Sequence, residues 1–211
     1  MRKLKKRVRE IGLKYSSLSG QISSRKIKQP VQFESSLERD FIYLLEFDTR
    51  VKRYLEQPLE ISFTDLLGKK RKYTPDFIVS YHDKFRKNEI VEIKYQKDLE
   101  EHGEKYDHKF EAARLYCIKH NLVFRICTDH YIREKNSTLL RNVKFLSRFR
   151  DYYDNINYKA TGLVVNTANS HNILNYLRKI KNCSIQELIN HLDEYSDDKY
   201  LKGKLIFLIW Y

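Results

Sequence analysis

Two short stretches hold the residues best suited to chemistry. Pro75-Asp76 opens an apolar strand half, Phe77-Ile78-Val79, and Glu92-Ile93-Lys94 lies in the middle of a second apolar run, EIVEIKY at 89–95. Side chains alternate along a strand, so Glu92 and Lys94 share one face and Ile93 points to the core on the other. If the two strands pair as a hairpin, Asp76 sits beside Glu92 and Lys94. Carboxylates of this kind bind Mg²⁺, or Mn²⁺ in its place, as hard oxygen ligands. Such a cation activates a water and neutralises charge on a scissile phosphate. The lysine orients the water or stabilises the transition state. Glu38, on a helix ahead of the sheet, supplies a third carboxylate. It also completes Ser35-Ser36-Leu37-Glu38, an S-x-x-E capping box in which the glutamate bonds back to the helix start. Taken singly, Asp76 is a turn residue after proline, and Glu92 with Lys94 is a surface ion pair. Gln57-Pro58 adds a polar contact near the site, or simply ends a strand.

The elements that must position these groups are visible in the periodicity. Residues 32–48 read as a helix, with Leu37, Phe41, Leu44 and Leu45 at helical spacing and Ser35 as N-cap. Strands are expected at 51–56, 59–64, 72–81, 89–95 and 122–128, with helices at 104–120 and 137–149. The 104–120 helix carries Phe110, Ala113, Leu115 and Ile118. Helix, strands, helix, strand, helix describes an α/β chain with a mixed sheet and helices on its faces. After Asp151 the composition changes. Two short helices (168–181 and 184–193) and an apolar end (205–211) suggest a small winged-helix-like module.

The 211 residues carry a formal net charge of +13, a surplus that points to a polyanionic partner. It is unevenly placed: residues 1–30 hold ten bases and one acid, whereas 151–211 hold seven of each. Three segments follow: a basic arm at 1–30, a catalytic domain at 31–150 and a partner-binding module at 151–211. Lys3, Lys5, Lys6, Arg7 and Arg9 in the arm, and Lys69, Lys70, Arg71 and Lys72 on a hairpin tip after Gly68, are the expected contacts to DNA phosphates. No apolar run is long enough to span a bilayer and none follows the basic N-terminus, so a cytoplasmic protein with no membrane partner is expected. Cys117, Cys127 and Cys183 are odd in number and lack CxxC spacing, which predicts free, buried thiols. The seven histidines show no metal-ligand spacing, and no GxxxxGK[ST] loop for ATP is present.

Ser35–Asp40 (SSLERD), Val51–Pro58 (VKRYLEQP), Tyr73–Val79 (YTPDFIV), Val91–Lys94 (VEIK) and Arg125–Asp129 (RICTD) together resemble TnsA, the endonuclease subunit of Tn7-like transposons, within the PD-(D/E)xK superfamily. The basic helix at Asn136–Phe149 fits as well, and the resemblance covers roughly residues 30–150. It implies a restriction-endonuclease-like fold with Glu38, Asp76 and Glu92 as metal ligands and Lys94 as the catalytic lysine. It implies Mg²⁺-dependent cutting of the non-transferred strand at the 5′ ends of a transposon. It also implies double-stranded DNA at the transposon ends, a TnsB-like DDE transposase and a TnsC-like AAA+ regulator as partners, the regulator meeting residues 151–211. Two other readings stay open: a stand-alone restriction or repair endonuclease, and a non-catalytic DNA-binding assembly subunit on the same fold.

Overall fold

Ser35 starts the first long helix, α1 (Ser36–Phe47), by accepting the Glu38 amide on its side chain. A computed structural model of the chain describes residues 18–147 apart from Lys28 and Leu66, and a few positions between 175 and 191. The expected arm residues Lys3, Lys5, Lys6, Arg7 and Arg9 and most of the expected C-terminal module lie outside the described residues. The chain divides into two units between Val143 and Lys144. In the second, Ser184 and Glu187 form a reciprocal cap, with the Ser184 amide 2.6 Å from Glu187 Oε2 and the Glu187 amide 3.1 Å from Ser184 Oγ. That cap stands where a helix was expected to begin.

In the first unit a short antiparallel pair, β1 (Gly20–Ile22) and β2 (Val31–Phe33), precedes α1. Then come β3 (Val51–Glu56), β4 (Ile61–Thr64), β5 (Lys70–Tyr73), β6 (Phe77–Tyr81) and β7 (Glu89–Lys94). α2 (Gln96–His102), a 3-10 turn at Gly103–Tyr106, α3 (Asp107–Lys119), β8 (Val123–Thr128) and a π-helical stretch at His130–Lys135 follow, and α4 (Ser137–Leu146) begins in it. The central sheet runs β3-β6-β7-β8; β7 and β8 are parallel, and the other neighbours are antiparallel. The β7-to-β8 connection is a helical crossover, as parallel neighbours require. This mixed sheet with helices on its faces fits the expected restriction-endonuclease-like architecture.

α1 covers one face. Leu37, Phe41, Ile42, Leu44 and Leu45 pack with Val51, Tyr54, Phe77, Val79, Val91 and Ile93. Each such apolar side chain contributes about 1.5–3 kcal/mol on burial. The other face carries Leu55, Ile78, Ile90 and Cys117, the last from α3.

Four expectations need correction. The first helix begins at Ser36 rather than at residue 32, because Val31–Phe33 pair with β1 as β2. Residues 72–81 are not one strand: β5 pairs with β4 in a separate two-stranded sheet, and β6 joins the central sheet. The break at Thr74-Pro75-Asp76 lets the chain change partners, and proline has no amide to continue a ladder. On α3 the buried row is Phe110, Ala113 and Cys117, so Leu115 and Ile118 are exposed, at 58% and 77%. Part of the supposed arm belongs to the fold: Ile27 is buried, the Arg25 amide bonds Glu46 Oε2 at 3.1 Å, and Lys26 Nζ bonds the Val51 carbonyl at 2.9 Å.

Candidate active site

Strand register brings the expected residues together. Phe77 faces Val91 across the β6–β7 ladder, so Asp76, one residue before, meets the level of Glu92. The Ile93 amide donates to Asp76 Oδ2 at 2.6 Å, and the Gln57 amide donates to the Asp76 carbonyl at 2.8 Å. Both bonds lock the Pro75-Asp76 corner against β7. Gln57 reaches this geometry with φ 43°, in the left-handed region that a non-glycine residue adopts at a cost. Its Oε1 is buried without a hydrogen-bond partner.

Glu92 is 2% exposed, and three donors surround its carboxylate. The Tyr73 hydroxyl donates to Oε2 at 2.6 Å, while Lys94 Nζ and Lys109 Nζ lie 3.1 and 3.0 Å from Oε1. Lys94 is thus where the spacing put it, two residues beyond Glu92 on the same face of β7. Burial drives its ammonium pKa down, but the Glu92 and Asp76 carboxylates outweigh that and leave it above the ordinary lysine value.

Asp76 lies well above the usual carboxylate range. Burial is the first cause, the neighbouring Glu92 and Glu38 charges add to it, and Lys94 and the Ile93 amide oppose it. Glu38 is also raised, by burial first; bonds from the Glu34 amide and Ser35 hydroxyl act against the shift. Those bonds are the capping box: Glu34 N to Oε2 and Ser35 Oγ to Oε1, both 2.9 Å, with Glu38 N returning to Ser35 Oγ at 3.1 Å. The capping reading of Glu38 is the one its bonds show; its charge also acts on Asp76.

Residues 48–129 match the family model described as TnsA-like endonuclease N terminal. That segment is similar to the N-terminal domain of TnsA-like endonucleases. No curated protein matches the chain. The matched segment includes Gln57, Asp76, Glu92 and Lys94 and begins after Glu38. Asp129 of the RICTD motif closes the match, and it has a structural task in the fold. Its Oδ1 accepts the Gln96 amide at 2.7 Å, at the start of α2, whose own N-cap, Tyr95, supplies no side-chain bond.

The donor chemistry suits a hard divalent cation. Asp76 and Glu92 are oxygen donors at one level of the sheet, and their mutual repulsion disfavours a charge on both in the absence of a cation. No three acidic, histidine or cysteine side chains among the described residues converge on one point. The contacts explain why: Glu38 is engaged by its helix cap and Glu92 Oε1 by two ammonium groups.

Sequence reasoning missed Tyr73 and Lys109. Tyr73 had a faint signal, as the start of the YTPD stretch. Lys109 had none, since only the fold returns α3 to β7. The expected DNA contacts are all exposed, but only Lys69 lies in the turn of the β4–β5 hairpin, since Lys70, Arg71 and Lys72 are on β5; two of the four face acids: Arg71 Nε is 2.8 Å from Asp65 and Lys72 Nζ 2.7 Å from Glu60.

Proposed function

We propose that this protein is a metal-dependent DNA endonuclease that cuts the non-transferred strand at the 5′ ends of a Tn7-like transposon. The observation that carries this reading is the level shared by Asp76 and Glu92, with Lys94 beside Glu92 on the same strand face, inside the segment that matches a TnsA-like endonuclease. Asp76 and Glu92, with Glu38 as third carboxylate, would hold Mg²⁺ or Mn²⁺. When bound there, the cation supplies an activated water and charge neutralisation at the phosphate. Lys94 presents a fixed ammonium beside Glu92 and donates hydrogen bonds to the attacking water or to a phosphate oxygen. Gln57 anchors the Asp76 backbone, and its unpartnered amide oxygen sits near the same corner. The basic arm and the Lys69–Lys72 stretch supply counterion-releasing contacts to the duplex. A DDE transposase of the TnsB kind cuts the 3′ ends, and a TnsC-like AAA+ regulator meets residues 151–211.

The test is strand-specific cleavage of transposon-end DNA in Mg²⁺ with the neighbouring transposase, wild type against Asp76→Asn. The asparagine retains an acceptor for the Ile93 amide and removes the charge. Loss of 5′-end cuts with 3′-end cuts and DNA binding retained is expected. Normal cutting by Asp76→Asn rejects the site. Cutting by the purified chain without a transposase favours a stand-alone nuclease, and no 5′ cutting by wild type favours an assembly subunit.

A further inference from the structure

Lys109 is a charged group at the site that neither the motif nor the proposed chemistry uses. It lies in the first turn of α3 with its side chain 19% exposed, and its Nζ is 3.0 Å from Glu92 Oε1. Three ring faces surround that ammonium: Tyr106 at 4.5 Å, Tyr73 at 4.9 Å and Phe110 at 5.0 Å from Nζ to ring centroid. Aromatic faces favour a cation, so the ammonium is held there by more than the ion pair. Lys94 already occupies the same carboxylate oxygen at 3.1 Å. One buried oxygen thus carries two ammonium groups while the other accepts from Tyr73. That exceeds what one carboxylate needs for neutralisation, and it places a second positive charge where a divalent ion would have to coordinate.

We propose that Lys109 is a positioning residue that acts as the counter-charge of Glu92 in the cation-free protein and competes with the divalent ion for Glu92 Oε1. This rests on the metal-site reading given above. Lys109 fixes the Glu92 carboxylate before the ion arrives, and the ion must displace it. α3 does not depend on this pair for its seat, because Phe110, Ala113 and Cys117 are buried at 4%, 0% and 2% exposure. Substitution at Lys109 therefore leaves the helix docked.

The experiment is Mn²⁺ titration of the full chain by calorimetry, without DNA, comparing wild type, Lys109→Met, Lys109→Arg and Asp76→Asn, with thermal melting of each. Lys109→Met should bind Mn²⁺ more tightly, by roughly five-fold or more, the lower end of ordinary coupling between linked ligands. Lys109→Arg should stay near wild type, and all should melt as folded proteins. A purely structural Lys109 gives the opposite sign: weaker Mn²⁺ binding in Lys109→Met with a lowered melting temperature. That result, or an unchanged affinity, overturns the proposal. Equal Mn²⁺ binding by wild type and Asp76→Asn overturns the metal-site reading and this proposal with it. Loss of Mn²⁺ binding in Asp76→Asn alongside unchanged affinity in Lys109→Met overturns the Lys109 role alone.

Discussion

Replacing Tyr73 with phenylalanine removes one oxygen and little else. The ring stays in its cluster with Ile61 and Ala113 and still faces the Lys109 ammonium. The substitution deletes the 2.6 Å bond from the hydroxyl to Glu92 Oε2, on a carboxylate 2% exposed that no water readily replaces. Hydrogen bonds to charged groups contribute about 1.5–3 kcal/mol, and a buried acceptor left unmatched adds to the loss. Lys94 and Lys109 remain on Oε1, which places the cost near the lower end, about 1.5–2 kcal/mol. For a domain of this size that corresponds to a melting temperature lower by about 3–8 °C. Urea unfolding measures it directly: the midpoint should fall with an unchanged slope, since the surface exposed on unfolding is the same. The control is the same substitution in Glu92→Gln, which removes the charged acceptor. There the effect of Tyr73→Phe should shrink to roughly 0.5–1 kcal/mol, and the difference between backgrounds isolates the bond. An equal loss in both backgrounds, or a change within about 0.5 kcal/mol of zero in the wild-type background, would show that Tyr73 does not hold Glu92.

The basic hairpin should contact DNA unevenly. Lys69→Ala with Lys70→Ala should weaken binding and reduce the log–log salt slope by about 1.8, whereas Lys72→Ala, whose ammonium faces Glu60, should change the slope by less than about 0.9; fluorescence anisotropy across a salt series reads both, and the reverse order refutes the assignment. Removing residues 1–17, which keeps Ile27 and the bond to Glu46 in place, should flatten the slope by about 0.9 for each phosphate that the arm neutralises, without altering the melting temperature. An unchanged slope means the arm does not touch the backbone. Burial pushes the Cys117 and Cys127 thiols up to about 11, so in a Cys183→Ser background native protein at pH 8 should react with a thiol reagent only after denaturant is added. Rapid labelling of either would contradict the packing.

The legible parts of the fold are those with a strong period or a short-range signal. α1 declares itself through Leu37, Phe41, Leu44 and Leu45 and through its Ser35 cap, all of which the structure retains. The Glu92-Ile93-Lys94 pattern needs only the alternation of a strand, and Ile93 does lie in the core at 6% exposure. Residues 72–81 mislead because Lys72 to Tyr81 is locally a good strand, and local propensity does not report that the chain changes sheets at Pro75. α3 misleads because two apolar stripes compete on it; the winning row is set by where Ile61, Tyr73 and Ile78 offer a surface. α2 has no buried residue and hence no hydrophobic period to read. β1 and β2, three residues each, are too short for any period to register. Lys109 joins Glu92 across seventeen residues and a helical turn of the chain, a link no spacing rule contains.

Glu38 shows why a cap and a site residue need not be alternatives. A capping box fixes a glutamate side chain against the first turn of a helix, through the Glu34 amide and the Ser35 hydroxyl, and so removes the rotamer freedom that a surface glutamate would have. The entropy cost of ordering it is thus offset by bonds that α1 needs in any case. α1 in turn is seated by Leu37, Phe41 and Leu44 on the face of the sheet that Phe77, Val91 and Ile93 form, so the carboxylate is referenced to the same two strands that carry Asp76 and Glu92. Its charge is felt at Asp76, where it adds to burial and to Glu92 in disfavouring a second carboxylate, and Lys94 opposes both. Asp76, with burial and two neighbouring acids against it and Lys94 for it, is left with a charge whose repulsion is only partly cancelled, while Glu92 is held by Lys94 and Lys109. Such an arrangement is costly unless something positively charged completes it, and the low sequence signal of Lys109 beside the strong one of Lys94 indicates how much of that balance the fold, rather than the motif, supplies.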